Sequence, residues 1–116
     1  MVELSSYLVN PRANLEEVLA VIDHGAAQIA LVTDEDRRLL GTITDGDVRR
    51  ALLRGFPMTT CAEEVMNSGF RSLPATATDI EALNLMLREV IHQIPALDGG
   101  GRVVHLFRLE ELTKPE

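Results

Sequence analysis

The sequence predicts a mixed α+β chain made of two copies of one β-α-β-β-α unit, related by a pseudo-twofold and packed sheet to sheet. Three observations carry this expectation. Two helix starts, Asn14 and Thr78, stand 64 positions apart, each with a glutamate three residues on (Glu17 and Glu81), the pattern of a capping box. Two short apolar runs, Ile29–Val32 and Ile94–Leu97, each lie between polar turns and read as buried strands. The same offset, carried forward without a gap, lays Asp34 on Asp98, Arg38 on Arg102 and Asp47 on Glu111. Identities between the halves are few, but caps, strands and turns keep register, as an internal duplication requires.

Composition bounds the function. With 116 residues, 46% of them hydrophobic, the chain has apolar mass for one modest core shared by two half-size repeats. Aromatics are scarce (three Phe, one Tyr, no Trp), so aliphatic residues must do the packing. The net charge of −7 argues against nucleic-acid binding, whose electrostatic footprint is basic. Cys61 stands alone and cannot form an internal disulfide, which points to a reducing compartment. No apolar run approaches the roughly 20 residues that span a bilayer. Met1–Leu4 lacks the basic and apolar regions of a signal peptide, so a cytoplasmic location with no membrane partner is expected.

The elements follow in order. From Asn14, apolar Leu15, Val18, Leu19 and Ile22 recur on one helical face, and Gly25 is placed to end that helix. Asp34–Arg37 is a turn, and Leu39–Thr44 returns as a strand antiparallel to the first. A helix then runs from Asp45 to about Arg54, stopped by Gly55. Thr60 and Glu63 look like the capping box of a short helix through Met66, and Asn67–Gly69 reads as a linker. The repeats are placed at residues 1–67 and 68–116. In the second, Gly99–Gly101 replaces the acidic turn, Val103–Phe107 is the returning strand, and the last helix is short.

The stretch Gly41–Arg50 concentrates the polar chemistry. A strand ends there, Asp45-Gly46 supplies turn residues, and Val48, Ala51 and Leu52 give the next helix its apolar stripe. A hydroxyl, carboxylates and arginines thus crowd a strand-to-helix junction, which can hold a ligand bearing sugar hydroxyls and phosphate. Thr44-x-x-Asp47 is equally a helix cap, worth about 1 kcal/mol without any ligand. Arg49, Arg50 and Arg54 can serve an anion, form a solvated face, or pair with nearby acids. Cap and ligand site are compatible roles.

The helix, the strand pair and the junction Leu40–Gly55, supported by Glu64-Val65-Met66-Asn67 and repeated after 64 residues, resemble a tandem CBS-domain (cystathionine β-synthase domain) module. The wording is similar to the CBS pairs that precede sugar-phosphate nucleotidyltransferases, and to those of sugar-phosphate isomerases. The resemblance implies the regulatory segment of a longer enzyme, expected to be a sugar-phosphate nucleotidyltransferase. It implies an adenosine nucleotide (AMP, ADP or ATP) as ligand, bound in the cleft between the repeats, with no cofactor required, and a homodimer formed through helices. It also implies roles. Asp47 accepts hydrogen bonds from the ribose hydroxyls, and Thr44 offers its hydroxyl to ribose or phosphate. The amides near Asp45 face an anion with charge added by Arg49, Arg50 or Arg54, and Ala27, Gln28 and Ile29 contact adenine. In the second half His105, Arg108 and Glu111 stand where Gly41, Thr44 and Asp47 do. Arginine cannot accept a hydrogen bond and glutamate reaches a different point. At most one functional site per chain is therefore expected, with Arg108 a surface residue or a distant phosphate contact.

His24, His92 and His105 fall on no metal-ligand spacing, and no nucleophile stands at motif distance from a base. The chain is expected to bind no metal and to be no enzyme. A nucleotide sensor and a ligand-free dimerisation scaffold are the two readings left open.

Overall fold

The structure is a computed structural model that describes residues 3–25 and 28–113. The chain divides into two compact units, Met1–Phe70 and Arg71–Glu116. The first runs through a 3-10 turn (Leu4–Tyr7), β1 (Leu8–Val9), α1 (Leu15–His24), β2 (Ile29–Thr33), β3 (Leu39–Thr44), α2 (Asp45–Leu53) and α3 (Ala62–Val65). The second runs through β4 (Leu73–Pro74), α4 (Asp79–Glu89), β5 (Gln93–Leu97), β6 (Val103–Arg108) and α5 (Leu109–Leu112). Each unit has one three-stranded sheet, ordered β1-β2-β3 and β4-β5-β6. In both, the lead-in strand is parallel to the middle one and the returning strand antiparallel. The predicted β-α-β-β-α order is present twice.

The 64-residue offset holds in the hydrogen-bond ladder. Ile29 pairs with Thr44 and Val32 with Gly41, while Gln93 pairs with Arg108 and Ala96 with His105. Even the register irregularity recurs, at Val32/Thr33 and at Ala96/Leu97. The turn is duplicated as well. Asp34 Oδ1 accepts from the amides of Asp36 and Arg38 at 2.9 Å, and Asp98 Oδ1 from those of Gly100 and Arg102 at 2.9 Å. Both turns need a left-handed residue, supplied by Gly101 (φ 82°) in the second and by Arg37 (φ 67°) in the first. A side chain there meets the following carbonyl, so Arg37 holds a conformation that glycine adopts freely.

Helix starts follow the caps. Asn14 accepts from the Glu17 amide at 2.9 Å, and Thr78 and Glu81 form a reciprocal box at α4. Leu15, Val18 and Ile22 then bury fully against β2 and β3, with Ala30, Val32 and Ile43. The second core is smaller, around Ala82, Met86, Ile94, Ala96 and Phe107.

The start of α3 departs from the sequence reading. Its N-cap is Cys61, whose amide donates to the Glu64 carboxylate at 3.3 Å, whereas the Thr60 hydroxyl donates to the Pro57 carbonyl at 2.6 Å. The box is displaced by one residue because backbone contacts fix the helix start. The Ala62 amide donates to the Ala13 carbonyl at 2.7 Å and the Glu63 amide to that of Pro11 at 3.0 Å. Asn67, read as linker, instead exchanges both backbone hydrogen bonds with Thr42, at 2.8 and 3.0 Å. Among the described residues no helix is long and apolar enough to cross a membrane.

Candidate functional site

The end of β3 delivers the polar junction to the start of α2. Thr44 leaves the strand with extended backbone and becomes the N-cap. Its hydroxyl accepts from the Asp47 amide at 3.3 Å, and Asp47 Oδ2 accepts from the Thr44 amide at 2.9 Å and hydroxyl at 3.0 Å. This closes a capping box and holds the carboxylate at the helix mouth. Asp47 Oδ1 is left to one side-chain partner, the Arg50 guanidinium at 2.7 Å. The carboxylate is 22% exposed, half-sunk in a polar rim that a ligand hydroxyl can reach.

Gly41 is where the backbone must be bare. A Cβ there would lie 2.6 Å from Met66 Cγ and Sδ, so the Val65-Met66-Asn67 segment presses directly on β3. The two parts of the sequence singled out together, Leu40–Gly55 and Glu64–Asn67, thus meet in space, stitched by the Thr42–Asn67 backbone pair.

The structure sorts the remaining predicted residues. Ile29 is the ladder partner of Thr44, and Gln28 stands just before it with a left-handed backbone (φ 58°). Ile29 is buried and Gln28 exposed. Ala27 lies outside the described residues. Asp45 and Arg49 pair with each other at 3.1 Å, both well exposed, so Arg49 is already compensated. Arg50 and Arg54 line a cavity of about 260 Å³ with Asp47, Phe56, Glu64 and Met66.

In the second unit the junction is rewired. Arg108 occupies the cap position of α5 without a side-chain cap. Its guanidinium donates to Glu110 at 2.9 Å and also to Glu111. Positions 108 and 111 still touch, as 44 and 47 do, but through an arginine that can only donate. Arg108 was expected on the surface and is in fact largely buried, its side chain 13% exposed. Burial follows from its place at the end of β6, opposite Gln93. His105 takes the place of Gly41 on an exposed stretch, its ring meeting Phe107 edge-on at 4.6 Å. Among the described residues no group of three or more metal-ligating side chains comes together.

A duplicated β-α-β-β-α module with one intact and one altered polar junction is the class of protein defined here. The family model described as the CBS domain matches residues 5–54 and again 62–114. The chain belongs to the CBS-domain family. An arabinose 5-phosphate isomerase, GutQ, of Shigella flexneri is 26% identical over 99 residues, which cover 85% of this chain and 31% of the relative. The chain thus spans about a third of the length of that curated relative. Among solved structures, a CBS-domain protein from Pyrobaculum aerophilum complexed with AMP superposes with a TM-score of 0.80 at 19% identity, covering 94% of this chain and 84% of that one. The cytosolic domain of the Mg2+ channel MgtE in complex with ATP gives 0.76 at 23% identity, covering 92% and 44%.

Proposed function

We propose that this chain is a regulatory module that binds an adenosine nucleotide at the junction of β3 and α2 and thereby modulates an attached or partner enzyme. The observation that carries this reading is the intact Thr44-x-x-Asp47 junction. Its carboxylate is held at a helix mouth by a capping box, with arginines one and two turns beyond. Two of the solved structures that share the fold hold AMP and ATP. Asp47 would take the ribose hydroxyls, Thr44 a hydroxyl or phosphate oxygen, and the backbone at Ala27, Gln28 and Ile29 the adenine edge. Control follows by population shift, since a ligand that prefers one arrangement of the module enriches it.

The regulated enzyme, in this reading, handles a sugar phosphate. The isomerase relative favours an isomerase over the nucleotidyltransferase first suggested by the wording of the junction. The active form is taken to be a homodimer. Ile80 and Leu87 on α4 and Val90 at its C-cap are exposed apolar residues, 71%, 59% and 81% accessible. Antiparallel pairing of two copies would set the acidic first turn of that helix on the basic last turn of the other.

A calorimetric and thermal-shift screen of AMP, ADP, ATP, GTP and S-adenosylmethionine tests the reading. A ligand at 100 times its dissociation constant should stabilise the fold by about 2.7 kcal/mol. No response to any adenosine compound at millimolar concentration would overturn it and leave the ligand-free scaffold, which the rewired second junction favours.

A further inference from the structure

We propose that the groove between α1 and the start of α2 docks a basic amphipathic helix of another protein, one that offers an aliphatic side chain flanked by lysine or arginine. The groove adjoins the β3–α2 junction, since Asp45 follows Thr44 directly, but it does not include Asp47. The inference therefore stands apart from nucleotide binding.

The groove, about 400 Å³, is lined by Glu16, Leu19, Ala20, Ile22 and Asp23 of α1 and by Asp45 in the first turn of α2. Its floor is apolar: Ile22 is buried and Leu19 half-buried, and exposed Ala20 adds only a methyl group above them. Glu16, Leu19, Ala20 and Asp23 stand at i, i+3, i+4 and i+7, the four positions that make a hole for one side chain of a facing helix. The rim is acidic. Glu16 and Asp23 make no side-chain ion pair or hydrogen bond among the described residues. Asp45 is 59% exposed and holds Arg49 at 3.1 Å.

Neither the helix nor the fold requires this rim. Asp23 lies in the last turn of α1, the negative end of the macrodipole, where a carboxylate is unfavourable and aspartate is a weak helix former. The 64-residue offset places Ile80, Leu87 and Leu109 where Glu16, Asp23 and Asp45 stand, so the same backbone is built in the second unit with apolar residues at all three positions.

A second copy of this chain is a poor occupant. Two such grooves face to face would set carboxylate against carboxylate. The other exposed apolar helix, α4, carries Asp79, Glu81 and Glu89 against the single cation Arg88. A helix with an aliphatic residue between lysines or arginines instead seats that residue over Leu19 and Ile22 and brings its cations to the three carboxylates.

Fluorescence anisotropy with two synthetic helices of about 18 residues tests this. Both carry the same leucine face; one has lysine on its flanks and the other glutamate. Titrated with the 116-residue chain, the lysine helix should bind at least about 10-fold more tightly than the glutamate helix. Ala20→Leu fills the hole without touching the charge and should weaken the lysine helix by about 10-fold or more. Glu16→Lys with Asp23→Lys should reverse the preference between the helices. Circular-dichroism melting confirms that each variant folds. Attraction to the net charge of −7 alone would be weakened as much by Glu35→Lys with Glu63→Lys, outside the groove, and would ignore Ala20→Leu. That result overturns the proposal, as does equal binding of the two helices or binding of neither. AMP titrated in parallel keeps the two readings apart. AMP bound without the lysine helix removes the groove alone, and the lysine helix bound without any adenosine nucleotide removes the nucleotide sensor alone.

Discussion

Thr44 and Asp47 in the first unit, and Arg108 and Glu111 in the second, occupy the same two places on the same backbone. Each pair joins the end of a returning strand to the third residue of a helix, and each pair is in contact. In the first unit a hydroxyl both accepts an amide and donates to a carboxylate, so the helix is capped and a carboxylate oxygen points to the rim. In the second, a guanidinium that can only donate bridges two glutamates and offers the helix no acceptor, and the amide of Leu109 donates to the His92 carbonyl at 2.8 Å. The duplication preserved geometry and let chemistry diverge. A scaffold can tolerate an inverted junction; a site that must accept hydroxyl hydrogen bonds cannot.

The comparison can be broken most sharply at the carboxylates. Asp47→Ala should lower affinity for an adenosine nucleotide by about 100-fold, the scale of a lost charged hydrogen bond, and Glu111→Ala should leave it unchanged. Calorimetry on both variants decides, and equal effects would mean that the two junctions share the ligand. Next in size is an exchange of strand residues. Gly41→Ala forces a Cβ into Met66 and should destabilise the fold by about 2 kcal/mol in urea unfolding. His105→Ala, on the exposed counterpart, should cost about 0.5 kcal/mol or less.

A smaller effect separates capping from binding. Thr44→Ala and Thr78→Ala should each lose about 1 kcal/mol of stability, but only the first should also weaken the ligand. The left-handed turn residues offer a reciprocal pair. Arg37→Gly should raise stability by about 0.5 kcal/mol and Gly101→Arg should lower it by about 1 kcal/mol, measured by thermal unfolding. Least of all, Arg49→Ala should change neither stability nor binding beyond about 0.5 kcal/mol, since its pair with Asp45 is solvent-exposed.

Local chemistry was the legible part. Asn14, Thr44 and Thr78 each bond three residues ahead, and Asp34 and Asp98 bond two and four ahead, so their partners are written beside them in the chain. That is why a 64-residue repeat could be read from caps and turns when few identities remain, and why the strand ladders then keep the same offset. The one misplaced cap shows the limit. Thr60-x-x-Glu63 fits the capping-box pattern and Cys61-x-x-Glu64 does not, so local propensity favours the threonine. Contacts from Ala13 and Pro11, some fifty residues away, selected the other.

By itself, then, the sequence determined the duplicated β-α-β-β-α order, the starts of α1, α2 and α4 and the pairing of Thr44 with Asp47, because each depends on neighbours within a few residues. Only the tertiary structure decided that Met66 bears on Gly41, that Arg108 is buried, and that Arg50 and Arg54 rather than Arg49 face a cavity beside Asp47. Those facts depend on which elements pack together. A side chain's exposure and choice of partner are set by the neighbours that folding brings to it, and no local pattern encodes them.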